Sequence, residues 1–133
     1  MLLNRVEIVT RARSQENVRY HKDQYVPGLA LDCVGLIRYA YDYQEELDLR
    51  LYSKVLTSDS LVQGAKKLGF VETNTPQPAD IIIWEYSGHP YHTGIYTGDN
   101  CCIHSSAAYM KVFEHEITGE WVERLVCYLT LQN

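Results

Sequence analysis

Asp32-Cys33-Val34-Gly35-Leu36 places a thiol directly after a carboxylate, and Cys33 is the best candidate nucleophile in the sequence. Cys33, Leu36, Ile37, Ala40, Tyr41 and Gln44 form an almost wholly apolar stripe at helical spacing. This predicts an amphipathic helix that begins at the cysteine and ends near Leu47, with Arg38, Asp42, Glu45 and Glu46 on its other face. Asp32 is a favoured N-cap residue, able to accept from backbone N–H groups one turn on. Unpaired N–H groups and the positive end of the helix dipole both favour a thiolate at such a position. Against that, a cysteine on an apolar helix face is commonly an inert small hydrophobe. A neighbouring carboxylate also raises a thiol pKa unless its charge is taken up in capping. Cys33 therefore needs a base from elsewhere in the chain.

Five histidines are available: His21, His89, His92, His104 and His115. His92 begins one predicted strand and His104 lies in the next, joined across Gly98-Asp99-Asn100. With Thr97 opposite Cys101 around a three-residue loop, Gly94 faces His104 and Ser106 faces His92. The two imidazoles are then diagonal neighbours on one face of the hairpin. An even-membered loop would set them on opposite faces. Such a pair suits a base and its orienter, one ring taking the thiol proton and the other fixing the tautomer. His21, His89 and His115 read as surface or satisfied core residues. His89-x-x-His92 with Cys101, Cys102 and His104 offers ligand types that suit zinc. Yet the sequence has neither an HExxH nor a CxxC pair, and adjacent cysteines on a strand alternate faces. The reading is of no metal and no cofactor.

Several elements must position these residues. Ile8, Val9 and Ala12 predict a helix within residues 4–17, followed by a long loop from Asn17 to Ala30. After the Cys33 helix, a second amphipathic helix starts at Ser58 or Ser60, carries Leu61, Val62, Ala65 and Leu68, and stops at Gly69. The period then changes to two. Strands are predicted at Ile81–Trp84, Thr93–Tyr96, Cys101–His104, Met110–Glu116 and Val122–Leu129, with turns at Ser87-Gly88, Gly98-Asp99-Asn100 and Thr118-Gly119. Cys101 and Cys102 should face opposite ways, one exposed and one in the core. Helices first and antiparallel strands after is an α+β layout.

The chain has 133 residues, 46% of them apolar and 22% charged. That is enough for one domain, residues 1–133, burying roughly two thirds of its unfolded surface. A net charge of -5 with scattered Lys and Arg argues against a nucleic-acid partner. No apolar run reaches the roughly 18 residues of a membrane span, and charge comes too early at the N-terminus for a signal peptide. The expectation is a soluble product with no membrane partner, carried outward by a virion, a secretion machine or lysis if it acts outside the cell. Its four cysteines lack disulfide-type spacing and read as reduced.

Taken together, the motifs resemble the NlpC-type cell-wall cysteine peptidases, compact relatives of papain. Asp32-Cys33-Val34-Gly35-Leu36 is similar to that family's Asp-Cys-Ser/x-Gly-Leu helix start, and Pro78-Ala79-Asp80-Ile81-Ile82-Ile83-Trp84 to its Pro-Gly-Asp strand. His92-Thr93-Gly94-Ile95-Tyr96 is similar to His-Val-Gly-Ile-Tyr, and Ile103-His104-Ser105-Ser106 to Ile-His-Ala/Ser. All four occur in order. The resemblance implies a papain-like minimal fold with N-terminal helices on a C-terminal antiparallel sheet. It also implies Cys33 as nucleophile, His92 as general base and His104 as orienting residue. A family tyrosine beside the nucleophile is matched best by Tyr20 and less well by Tyr25, though the usual Gly-Gly is missing. Val34 and Ala79 replace the usual serine and glycine. The Cys-Val-Gly-Leu form and the stretch from Arg19-Tyr20-His21 to Val26-Pro27-Gly28 look like the bacteriophage and prophage tail branch.

The implied reaction is amide hydrolysis. Cys33 attacks, the Cys33 N–H and the Tyr20 hydroxyl hold the oxyanion, and His92 protonates the leaving amine and later activates water. By resemblance the substrate is a peptidoglycan stem peptide, most often at the bond from D-glutamate to a diamino acid, and phage tail proteins are the implied partners. Two rivals are a non-catalytic structural or wall-binding module, which has no need of Cys33, His92 and His104 together, and an acyltransferase or amidase on another substrate.

Overall fold

The computed structural model describes residues 4–41, 56–86 and 88–131. Helix α1 (Arg5–Arg13) is capped by Asn4, whose side chain accepts from the Glu7 N–H. It lies within the predicted span and ends early in it, because Ser14 already lies at its C-cap and Asn17 turns to a positive φ of 70°. Ile8, Val9 and Ala12 are its buried positions, as their spacing required.

The segment from Asn17 to Ala30 is not the continuous loop expected. It holds three two-residue strands, β1 (Arg19–Tyr20), β2 (Tyr25–Val26) and β3 (Ala30–Leu31). β1 pairs parallel with β3 and antiparallel with a later strand, and β2 pairs antiparallel with β3. Two residues are too few to display alternation, so their backbone pairing leaves no periodic trace in sequence.

Helix α2 (Cys33–Tyr41) begins at Cys33, and its predicted end near Leu47, with Gln44, lies outside the described residues. It is less amphipathic than its pattern suggested, since Val34 and Gly35 are buried along with Cys33, Leu36, Ile37, Ala40 and Tyr41. The sheet covers one side, while α1 and the residue 20s segment cover the other. Helix α3 (Ser58–Lys67) starts with a reciprocal cap in which the Ser60 N–H donates to Thr57 Oγ1 at 3.0 Å and the Thr57 N–H donates to Ser60 Oγ at 2.8 Å. It stops before Gly69, whose φ is 99°.

Six longer strands follow: β4 (Phe70–Thr73), β5 (Ile81–Tyr86), β6 (His89–Gly98), β7 (Cys101–Ser106), β8 (Lys111–Glu116) and β9 (Leu125–Leu131). The sheet runs β2-β3-β1-β8-β7-β6-β5-β9-β4, so the chain is α+β with an antiparallel-dominated sheet. β4 escapes sequence reading because only Phe70 of its four residues is buried. The strand expected from Val122 is preceded by a short helix, α4 (Glu120–Glu123), and starts only at Leu125. Gly119 at φ 56° turns the chain into α4 and leaves Trp121 buried beneath it.

Alternation along β5 divides the apolar interior. Ile81 and Ile83 join Ile95, Ile103, Val112 and Leu129 with the helices in one core. Ile82 and Trp84 join Cys102, Ile117 and Trp121 in a second. Each fully buried isoleucine contributes about 1.5–3 kcal/mol relative to exposure. Arg5 ties the start of β5 to the end of β9, reaching Asp80 Oδ1 at 2.7 Å, the Pro78 carbonyl at 2.9 Å and Thr130 Oγ1 at 3.1 Å. Ala79 holds φ at 84°, a conformation glycine adopts without strain, and its carbonyl accepts from the buried Tyr41 hydroxyl.

Candidate active site

Asp32 caps α2 in the expected way, and its charge is engaged twice. Oδ1 accepts from the Gly35 N–H at 2.8 Å and Oδ2 from the Asp23 N–H at 3.0 Å. A Cβ on Gly35 would sit 3.0 Å from Asp32 Oδ1 and 3.2 Å from the Gln24 carbonyl. The motif glycine is what lets the residue 20s segment lie against the helix start. Cys33 is buried there, and α2 packs against β6 and β7, the strands that carry His92 and His104.

Tyr20 and Tyr86 both feel the charge of Cys33. Burial first, and then the negative charge of Cys33 and of Asp32, push the Tyr20 phenol up to about 12. Cys33 also raises the phenol of Tyr86, though burial there is the larger cause. Tyr86 stands two residues past Trp84, the cross-strand partner of His92. Cys33 thus acts electrostatically on a phenol of the residue 20 segment and on one at the far end of β5. Tyr25 instead serves the flank of α2, where the Arg38 guanidinium lies 4.0 Å from its ring centre.

The β6–β7 hairpin departs from expectation at its tip but not at its base. Ile95 pairs with Ile103 and Tyr96 with Cys102, the predicted register. Thr97 does not pair with Cys101. Gly98 does, after a register shift, and the turn itself is Asp99-Asn100 with positive φ at both residues. A two-residue turn alone would have inverted the faces, and the bulge at Thr97 restores them. His92 and His104 thus share a face, with His92 Nε2 2.7 Å from His104 Nδ1. Both are buried.

His115, expected to be an ordinary surface or core histidine, joins them. It stands opposite Cys102 on β8, and its Nε2 is 2.7 Å from His104 Nε2. Its Nδ1 lies 2.8 Å from the Glu116 carbonyl oxygen. That carbonyl can only accept, so His115 Nδ1 carries hydrogen, and in the neutral ring Nε2 is an acceptor. His104 must then donate from Nε2 and accept at Nδ1. Burial, with His92 and His115 adding to it, holds the His104 pKa well below 6.5 and keeps that ring neutral. His92 in turn donates from Nε2, which puts its own lone pair on Nδ1. One backbone carbonyl thereby sets three tautomers.

Two tryptophans shield this chain of rings. Trp84 stacks on His92 with centroids 5.2 Å apart and an interplanar angle of 22°, and its Nε1–H donates to the Trp121 carbonyl at 2.8 Å. Trp121 lies edge-on to His104 at 4.7 Å. The sequence marks Trp84 only as the end of a strand motif, His115 only as an ordinary histidine, and Trp121 not at all. Alternation in the Met110–Glu116 strand places His115 on the same face as Phe113, but partners across β7 become visible only once the register is known. Of the ligand types weighed for zinc, the His89 side chain lies outside the described residues. Cys101 is half-buried, on the other face from buried Cys102, and the group that converges among the described residues is Cys102, His104 and His115. Burial drives the Cys102 thiol up to about 12, which suits an inert thiol rather than a nucleophile.

A buried thiol at the head of a central helix, packed on an antiparallel sheet whose strands carry a bonded histidine pair, is the construction of a papain-like cysteine peptidase. The NlpC/P60 family profile matches residues 22–130, and the chain belongs to that family of cysteine peptidases and peptidoglycan hydrolases. No curated protein matches. Among solved structures, the NlpC/p60 domain of the peptidoglycan hydrolase SagA is similar at 19% identity with a TM-score of 0.71, covering 97% of this chain and 100% of that one. An NLP/P60 lipoprotein-like protein of Staphylococcus aureus is similar at 17% identity and TM-score 0.71, over 97% of this chain and 42% of its own. The peptidoglycan hydrolase RipB of Mycobacterium tuberculosis follows at 18% and 0.60, over 95% of this chain and 63% of its own. At these identities the likeness is one of fold.

Proposed function

We propose that this protein cleaves peptidoglycan stem peptides through a Cys33-His92-His104 triad, and the observation that carries the reading is the buried hydrogen bond from His92 to His104. Its direction leaves His92 Nδ1 as the nitrogen able to accept the Cys33 proton, and His104 holds the ring in that tautomer. The Cys33 thiolate adds to the amide carbonyl, and the oxyanion is met by the Cys33 N–H and the Tyr20 hydroxyl. His92 passes its proton to the leaving amine, then takes one from the water that releases the acyl group from sulfur. The bond from D-glutamate to a diamino acid is the proposed target. The Cys33-Val34-Gly35-Leu36 form supports a tail-associated protein, working with phage tail partners and brought to the envelope by the virion or another machine.

The test is digestion of purified peptidoglycan with mass analysis of the released fragments. Wild type should yield new amine and carboxyl ends, and Cys33→Ala, still folded by circular dichroism, should yield none. Failure of folded wild type on walls of several cross-link chemistries overturns the assignment.

A further inference from the structure

We propose that Cys102, His104 and His115 form an inhibitory site for a borderline-soft divalent cation, Zn²⁺ by preference, directly behind the thiol's base. The inference of inhibition rests on the triad above; the inference of binding does not.

The three candidate ligand atoms lie within 4.8 Å of one another. Cys102 Sγ is 3.6 Å from His115 Nε2, and a sulfur and a nitrogen on one tetrahedral zinc are about 3.6 Å apart given bonds of about 2.3 and 2.0–2.1 Å. The two Nε2 atoms, at 2.7 Å, must open to roughly 3.3 Å by the same bond lengths, a small tilt of half-buried His115. Both rings are already oriented from behind. His115 donates through Nδ1 to the Glu116 carbonyl and His104 is hydrogen-bonded through Nδ1 to His92, the outer contacts that aim metal-bound imidazoles. Phe113 stacks on His115 at 4.7 Å and Trp121 lies 5.1 Å from it, so the surroundings are apolar. Cys102 is buried and takes no part in the triad, and a thiolate with two imidazoles is a donor set suited to Zn²⁺.

Binding would reverse the tautomers. The ion needs a lone pair at His104 Nε2, so the proton there leaves to water. His104 then carries its hydrogen on Nδ1, received from His92 Nε2, and His92 takes a proton from water onto Nδ1. His115 Nε2 already presents a lone pair. Cys102 loses its thiol proton, so the net release is one proton per ion. His92 Nδ1 is left bearing hydrogen and cannot accept from Cys33.

Chelator-stripped protein is titrated with Co²⁺ and, separately, with Zn²⁺. A single Co²⁺ per chain should give a thiolate charge-transfer band in wild type and equally in Cys33→Ala, which excludes the active-site thiol as ligand. The band should vanish in Cys102→Ser, and affinity should fall by about tenfold or more in His115→Ala. Zn²⁺ should inhibit wall cleavage by wild type, while Cys102→Ser keeps wild-type activity and needs at least about tenfold more Zn²⁺. Absence of the band from Cys33→Ala, or its persistence in Cys102→Ser, overturns the site. Equal Zn²⁺ sensitivity of wild type and Cys102→Ser overturns the inhibition. An enzyme inactive on walls that still shows the Cys102-dependent band faults the triad reading, not the site.

Discussion

Gly94 lies against His104 with no space for one more methyl group. A Cβ built on Gly94 would stand 2.9 Å from the His104 Cβ, 2.9 Å from a Trp84 ring carbon and 3.0 Å from the Ile103 carbonyl. Contacts that close cannot relax by rotating a flexible side chain, because two belong to the core of the site and one is backbone. Gly94→Ala would elsewhere gain stability from a less flexible unfolded chain. Here it should cost about 1–3 kcal/mol by overpacking, read as a lower urea midpoint, and it should depress wall cleavage by moving His104 away from His92.

His115→Phe should lower kcat by about tenfold or more with little change in KM, since general acid–base catalysis is worth about 10²–10⁴ and this residue acts on it through two rings. Phenylalanine keeps the ring stacked near Trp121 but removes the acceptor for His104 Nε2–H, so the His92 tautomer is no longer dictated. His115→Gln restores an acceptor oxygen and should recover part of the loss. Equal defects in both variants would mark a packing role instead.

How much of this could be read from residues alone follows the range of the interactions. The α2 start was legible because the Asp32 cap acts within one turn and the stripe from Cys33 repeats at local helical spacing. The shared face of His92 and His104 was legible too, although the three-residue loop that spacing suggests is not the one that forms. The two-residue turn and the Thr97 bulge add up to the same parity. His115 and Trp121 were not legible. His115 reaches His104 across a strand boundary whose register no local pattern encodes, and Trp121 arrives on a four-residue helix inside what alternation presents as a strand. The β1–β3 segment was missed for a similar reason, its pairing being between pieces of two residues.

Tyr20→Phe tests the oxyanion contribution. The Tyr20 phenol, raised to about 12 by burial and by Cys33 and Asp32, keeps its proton throughout the assay range and is available as a donor. Losing one such donor costs about 10²–10³ in kcat where it meets the developing charge. Tyr25→Phe, on the flank of α2 under Arg38, should leave kcat near wild type. Steady-state rates on a soluble stem-peptide substrate measure both, and a Tyr20→Phe rate within about twofold of wild type would remove the hydroxyl from the mechanism.

Acid should destabilise the fold in a window set by His104. Burial, then His92 and His115, depress its folded pKa well below 6.5, so the unfolded chain binds a proton there that the folded chain refuses. The stabilisation is complete above 6.5 and is lost as pH falls toward the folded value, at up to about 1.4 kcal/mol per pH unit. Glu114, held low by its hydrogen bond to Arg13, adds a second loss in the same direction, but only below its ordinary value of 4.5. Urea midpoints taken between those two values separate the His104 contribution from that of Glu114. His104→Asn has no proton to gain there and should flatten the slope, whereas a parallel slope in wild type and variant would assign the acid sensitivity to other groups.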